Sequence, residues 1–225
     1  MNRLKTGIKK NIVWIIAFFA LIIFFYIVRL YLKDQLDSFD SMIYSFFIQF
    51  ENPTVTNIFK FISHLCGPIT VVTLLFIILI FGKNEEYDMY TAIITSGAFI
   101  LNYIVKIICR RPRPIDINLI TETGFSLPSS HAMVSVSFYG FLMYYIYKMD
   151  INKKKKIAVE ALLATLIILI GISRVYLGVH YASDVLAGMM LSICYYILFI
   201  KLIYTKKKIK VPNKLTNLRN KIKRR

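Results

Sequence analysis

Charged residues are scarce in this 225-residue chain, at 18% of the sequence, whereas globular proteins carry about a quarter. Hydrophobic residues make up 57% and aromatic residues 15%. A composition this apolar excludes an intrinsically disordered chain and argues against a water-soluble fold. Acidic residues are the rarer charged type, 12 against 29 Lys and Arg, so the net charge is +17.

Cysteine is rare too, and Cys66, Cys109 and Cys194 lie far apart, each in or at the end of an apolar stretch. Because no Cys-x-x-Cys pair or His/Cys cluster is present, the pattern does not indicate a zinc site. We expect three buried free thiols. Glycine-rich linkers and internal repeats are also absent, which favours a single domain.

The basic residues are clustered: ten lie in 206–225 and five more in 148–156, while the middle of the chain is apolar. A nucleic-acid-binding arm is one interpretation of such a tail, but no aromatic residues are interleaved for base stacking. Basic flanks around apolar segments are typical of an integral membrane protein with cytoplasmic basic loops, which anionic headgroups attract.

Six segments approach the length of about 20 apolar residues that a helix needs to cross a bilayer. The first exceeds a signal-peptide core and lacks a cleavage site, so we expect it to remain uncleaved. The sequence predicts an all-α bundle of six transmembrane helices, one membrane-embedded domain at 1–205 and a basic cytoplasmic tail at 206–225. The six predicted spans are 11–30, 58–82, 89–109, 131–147, 157–176 and 182–204.

Two further features modify this bundle. Segment 34–49 mixes apolar and acidic residues at helical spacing, which predicts a short interfacial helix between spans 1 and 2, with a lid over a site as the alternative. In the second span, Gly67-Pro68 predicts a kink.

The positive-inside rule orients the six spans. The N-terminal arm, the 148–156 loop and the tail are all basic, which predicts cytoplasmic N and C termini. The 83–88 loop is net acidic and does not follow this pattern. The opposite face then carries the 106–130 connection and the turn around His180.

Basic residues should avoid that outer face, yet Lys106, Arg110, Arg111 and Arg113 lie there. Snorkelling to lipid phosphates is one explanation. Because ionisable residues in membrane helices are costly, they also mark functional sites.

Two other segments reach the same face. Pro128-Ser129-Ser130-His131 begins the fourth span, and a helix N-terminus binds phosphate readily. Four residues separate His180 from Asp184, so the two share a face if helical. The carboxylate can then accept the Nδ1 proton and leave Nε2 nucleophilic.

The combined residue set suits a phosphate ester. Arg and Lys side chains bind nonbridging oxygens and stabilise transition-state charge. One histidine can attack phosphorus while another protonates the leaving alkoxide. The residues do not form a plausible metal cage.

The three segments resemble the tripartite signature of the type 2 phosphatidic acid phosphatase superfamily, the lipid phosphate phosphatases. Lys106, six residues and Arg113-Pro114 match its first motif, and Ser173-Arg174, five residues, His180, three residues and Asp184 match its third. In the second motif, Ser130 stands where the family has Gly, and we expect activity to survive this change.

The resemblance implies a metal-independent hydrolase without cofactors that acts through a phosphohistidine. The substrate would be phosphatidylglycerol phosphate, undecaprenyl pyrophosphate or phosphatidic acid. His180 would be the nucleophile, Asp184 its orienting carboxylate and His131 the general acid. The phosphate would be bound by Lys106, Arg113, Ser129, Ser130 and Arg174.

Other functions remain open. The same phosphohistidine could serve a lipid phosphotransferase. A non-catalytic lipid-binding or transport bundle is disfavoured because His131, His180 and Asp184 are all present. Vanadium haloperoxidases share the signature but are soluble, and six spans argue against them.

Four residues that are not part of the signature also allow predictions: Arg110, Arg111, Tyr181 and His64. We expect Arg110 and Arg111 to attract lipid headgroups. We expect Tyr181 to face lipid at the interface, with packing beside the site as the alternative. For His64, we favour a buried, hydrogen-bonded side chain over one that lines a substrate groove.

Overall fold

The computed structural model describes residues 2–82, 84–115 and 118–204, with side chains described from residue 11 to 201 within these ranges. This part of the chain contains eight α-helices and no strand, which confirms the all-α prediction. The tail at 206–225 lies outside it. The helices are α1 (Asn2–Tyr31), α2 (Asp37–Ile48), α3 (Pro53–His64), α4 (Pro68–Phe81), α5 (Glu85–Cys109), α6 (Ser130–Lys148), α7 (Lys153–Tyr176) and α8 (Ala182–Leu198), which continues as a π-helix over Phe199–Tyr204.

Four helices are long and apolar enough to cross a membrane: α1, α5, α7 and α8. Helices α3 and α4 bend by 45° at the break between them, and they raise the number to five if the pair forms one span. This bend confirms the predicted kink. It lies at Pro68, which begins α4 and has no N–H to donate to the preceding turn. The fourth predicted span forms α6, which is not among these helices, so six spans remain a prediction.

Helix α6 lies at the centre of the bundle, packed against α5, α7 and α8, while α1 packs along α8. Ser129 N–H donates to the Asp184 carbonyl at 3.0 Å. At Gly188 a Cβ atom would lie 2.8 Å from the Ser129 carbonyl oxygen. This close approach, which a side chain would block, places the beginning of α6 beside the first turn of α8.

Helix α2 forms within the segment for which an amphipathic helix was predicted. Phe39, Ile43 and Phe47 pack on the cluster that contains Val175 and Val185 of α7 and α8. Its position at a membrane surface stays a prediction.

The connection from α5 to α6 runs back over the turn between α7 and α8. Ser126 N–H donates to the Arg111 carbonyl at 2.8 Å, and Leu119 N–H donates to the Leu177 carbonyl at 2.9 Å. These bonds bring the loop that follows the first motif onto the turn that carries His180.

The three cysteines are free thiols. Cys66 and Cys194 are buried as predicted, whereas Cys109 is half-buried at the end of α5. The burial prediction is therefore wrong for Cys109, because the helix end leaves one side uncovered.

Candidate active site

The three motif segments meet at a cavity of about 100 Å³. Arg113 comes from the loop after α5, His131 from the first turn of α6, Arg174 from the end of α7 and His180 from the turn before α8. All four line the cavity. The prediction that topology brings these segments together is confirmed.

Arg113 determines which nitrogen of His180 carries a proton. Its Nη1 lies 3.2 Å from His180 Nε2 and also donates to the Val179 carbonyl at 2.7 Å. A guanidinium has only donors, so Nε2 accepts and the ring proton resides on Nδ1. Nε2 is therefore unprotonated, and its lone pair accepts from Arg113 at a residue that lines the cavity.

Ser126 connects His180 to Asp184. The His180 Nδ1 atom lies 3.2 Å from Ser126 Oγ, and Ser126 Oγ donates to Asp184 Oδ2 at 2.5 Å. The direct Nδ1–Oδ2 distance is 3.6 Å, beyond hydrogen-bonding range. The carboxylate thus orients the imidazole through a serine hydroxyl, which the sequence analysis did not anticipate.

His180 is only 3% exposed. Its burial, together with the positive charges of Arg113, Arg174 and Lys106, holds the pKa of His180 well below its ordinary value. The imidazole is therefore neutral near pH 7, as a nucleophile must be.

Glu122 is a further residue that the sequence analysis missed. Its carboxylate accepts from Arg174 Nη2 at 2.5 Å and lies 3.9 Å from Arg113 Nη2. Arg174 Nη1 also donates to Ser63 Oγ. Glu122 therefore hydrogen-bonds Arg174 and lies near Arg113, the two arginines that were predicted to bind phosphate.

The other predicted phosphate ligands differ in placement. Ser130 lines the cavity and donates from Oγ to Asn102 Oδ1 at 2.6 Å. Ser129 is fully buried, and its Oγ accepts from Ala132 N–H at 3.5 Å as the cap of α6. Lys106 Nζ donates to the carbonyls of Phe125 and Ser126 rather than lining the cavity.

Arg111 does not reach lipid headgroups, so that prediction is wrong. It is 4% exposed. Nη1 donates to Asp184 Oδ1 and Nη2 to Asp40 Oδ2, both at 2.7 Å. Ser183 adds backbone and hydroxyl hydrogen bonds to Asp40, at 2.8 and 2.7 Å. The buried carboxylates of Asp40 and Asp184 hold the guanidinium inside the protein. They supply the hydrogen-bond acceptors that lipid phosphates would otherwise provide.

Arg110 is exposed and ends α5 in the left-handed conformation, with φ of 49°. Its Nε donates to the Ile107 carbonyl at 3.0 Å. Headgroup attraction stays a prediction for this residue alone.

Tyr181 packs beside the site, which was the alternative prediction. The Arg111 guanidinium lies 4.0 Å from the centre of its ring, within cation–π range. The ring is half-buried against Arg111, and lipid contact by its exposed side stays a prediction.

The prediction of a buried His64 is also wrong. His64 is exposed and ends α3 just before the bend. It lines a second cavity, of about 410 Å³, together with His131 and Arg174. The bend turns the last residue of α3 towards this space rather than into the core.

Within the described ranges, no group of three His, Cys, Asp or Glu side chains is placed to hold a metal ion.

Comparison with known proteins agrees with this geometry. The sequence model of the PAP2 superfamily matches residues 87–208, more than half of the chain. The protein belongs to this superfamily and is a lipid phosphate phosphatase with membrane-spanning helices.

Among individual relatives, phosphatidylglycerophosphatase B of Bacillus subtilis (strain 168) is 30% identical over 169 residues, which are 73% of this chain and 83% of that protein. The crystal structure of a transmembrane PAP2-type phosphatidylglycerolphosphate phosphatase from Bacillus subtilis superposes with a TM-score of 0.78 at 26% identity, and the match covers 86% of this chain and 98% of that one. The crystal structure of Aquifex aeolicus LpxE has a TM-score of 0.59 at 22% identity, with 71% and 93% covered, a likeness of fold.

Proposed function

We propose that the protein hydrolyses a phosphate monoester or terminal pyrophosphate of a membrane lipid through a phosphohistidine on His180. The observation that carries this proposal is the unprotonated Nε2 of His180, a residue that lines the cavity, hydrogen-bonded to Arg113. A bound phosphate would take this donor from Nε2 and release the lone pair for attack. Phosphatidylglycerol phosphate is the first candidate substrate because the Bacillus subtilis relative and the Bacillus subtilis crystal structure are both named for it.

The reaction has two displacements. His180 Nε2 attacks phosphorus, the P–N bond forms, and the bond from phosphorus to the lipid oxygen breaks. His131 gives its proton to that oxygen, so a monoester releases the neutral lipid alcohol and a terminal pyrophosphate, cleaved at its bridging oxygen, releases the lipid monophosphate. Water then attacks the phosphorus of the phosphohistidine and His131 takes a proton of the water. The P–N bond breaks, its electron pair returns to His180 Nε2, and inorganic phosphate is released.

The arginines stabilise the charge that develops on the nonbridging oxygens. Arg113 and Arg174 line the cavity, and Ser130 stands at the beginning of α6, where N–H groups favour an anion. Lys106 and Ser129 are the remaining proposed phosphate ligands. Lys106 would reach the phosphate after leaving the Phe125 and Ser126 carbonyls, to which it donates in this structure. Asp184 orients His180 through Ser126 and balances its charge in the intermediate.

We place the site at the extracytoplasmic face, with both termini in the cytoplasm. The basic 148–156 loop supports this orientation, since it joins α6 and α7 at the ends opposite His131 and Arg174. The domain at 1–205 then carries all of the chemistry, and the tail at 206–225 acts as an orientation signal.

The test is phosphate release by purified protein in mixed micelles with EDTA, with phosphatidylglycerol phosphate, undecaprenyl pyrophosphate and phosphatidic acid as substrates. We expect metal-independent release by the wild type and loss to background in His180→Ala. Wild-type turnover in the His180→Ala variant would disprove the phosphohistidine mechanism.

A further inference from the structure

A second cavity adjoins the catalytic one. It has a volume of about 410 Å³ and shares Pro68, Glu122, His131 and Arg174 with the smaller cavity. The smaller cavity holds the nucleophile His180, and the larger one does not reach it. Because it shares these residues, the larger cavity forms a vestibule to the site.

The chemistry determines which part of the substrate enters the vestibule. In an in-line displacement the leaving oxygen departs on the side opposite His180 Nε2, next to the acid that protonates it. That acid is His131, which lines both cavities. The first groups beyond the leaving oxygen therefore lie in the vestibule.

Lys60 and His64 line this space from α3. Their spacing of four residues places them on one face of the helix, one turn apart. Neither side chain makes a hydrogen bond or ion pair with another described residue, whereas Arg174 in the same wall is paired with Glu122. Lys60 and His64 thus offer the vestibule an ammonium group and an imidazole that have no hydrogen-bond partner among the described residues.

We propose that Lys60 and His64 bind a second phosphate group of the substrate, one that follows the leaving oxygen. In phosphatidylglycerol phosphate this group is the phosphodiester beyond the glycerol, and in undecaprenyl pyrophosphate it is the phosphate bound to the lipid. Phosphatidic acid has no such group. The inference rests on the proposed function, and it makes this enzyme selective for lipids with two phosphorus atoms.

The test compares kcat/KM for phosphatidylglycerol phosphate and for phosphatidic acid in the same mixed micelles. We expect Lys60→Met to lower the ratio of kcat/KM for phosphatidylglycerol phosphate to kcat/KM for phosphatidic acid about tenfold. This is the effect of one lost charge-assisted hydrogen bond. Lys60→Arg should retain most of the ratio because it keeps the charge. His64→Gln should lower it less, since the amide can still donate.

Lys33→Met is the matched control, because Lys33 is an exposed lysine of the α1–α2 connection that lines neither cavity. We expect its ratio to equal that of the wild type. A Lys60→Met variant that loses activity on both lipids equally, or on neither, would overturn the second phosphate site and leave the proposed function intact. A wild type that releases phosphate from no lipid would overturn both.

Discussion

The buried ion pair between Asp40 and Arg111 supports our most quantitative prediction. Asp40 lies on α2, is 3% exposed, and accepts from Arg111 and twice from Ser183. Arg111 in turn holds the Asp184 carboxylate. Asp40→Ala removes one carboxylate and leaves the Ser183 N–H buried without its acceptor.

Removing one partner of a buried pair costs about 3–5 kcal/mol of the free energy of unfolding. For a protein of 150–250 residues, each kcal/mol lowers Tm by about 2–4 °C. We therefore expect Asp40→Ala to lower Tm by about 6–20 °C. Because Arg111 loses one of its two anchors, Asp184 is held less firmly, and we expect kcat to fall as well.

Thermal unfolding in detergent, followed by circular dichroism beside a phosphate-release assay, measures both effects. Asp37→Ala is the matched control, since Asp37 is an exposed carboxylate in the first turn of the same helix and its loss should cost under about 1 kcal/mol. Asp40→Asn, which keeps the shape and an acceptor, should fall between the two. An Asp40→Ala variant as stable as Asp37→Ala would refute the reasoning.

Two further predictions concern the catalytic cavity. Burial lowers the pKa of His180, so the proposed nucleophile stays neutral in mild acid. The acidic limb of the kcat/KM profile should therefore lie below about pH 6.5. A limb above that value in a pH–rate profile would contradict the neutral imidazole. Glu122 pairs with Arg174 and lies near Arg113, the arginines proposed to bind phosphate, and its carboxylate is 32% exposed. Removing its charge should favour phosphate there, so we expect Glu122→Gln to lower the inhibition constant of inorganic phosphate about fivefold. Weaker phosphate inhibition would instead indicate that Glu122 positions the two arginines for substrate.

The residues of the candidate site that could be predicted lie within short motifs. His180 and Asp184 are four residues apart, and His131 lies in the first turn of a helix after Pro128, so short spacing is enough to bring the pair near each other. Helix geometry is not enough, because His180 precedes α8 and contacts Asp184 through Ser126. The kink at Pro68 is local in the same way, because a missing N–H acts within one turn.

The residues that were missed act over long separations. Asp40 meets Ser183 across 143 positions, and Ser126 meets Asp184 across 58. Nothing in the neighbourhood of Asp40 distinguishes it from the exposed acids of its segment. The position of Glu122 between two motifs was a weak signal. Its contact with Arg174 depends on how the 118–129 loop folds.

The sequence by itself determined the helical class, the apolar segments and the three motifs, because hydropathy and periodicity are properties of neighbouring residues. Only the tertiary structure decided that Arg111 is buried and that Ser126 lies between His180 and Asp184. It also decided that His64 lines the vestibule. Each of these depends on which helix faces cover one another. A buried charge is stable only beside a partner, and the packing of the helices supplies that partner from a distant part of the chain.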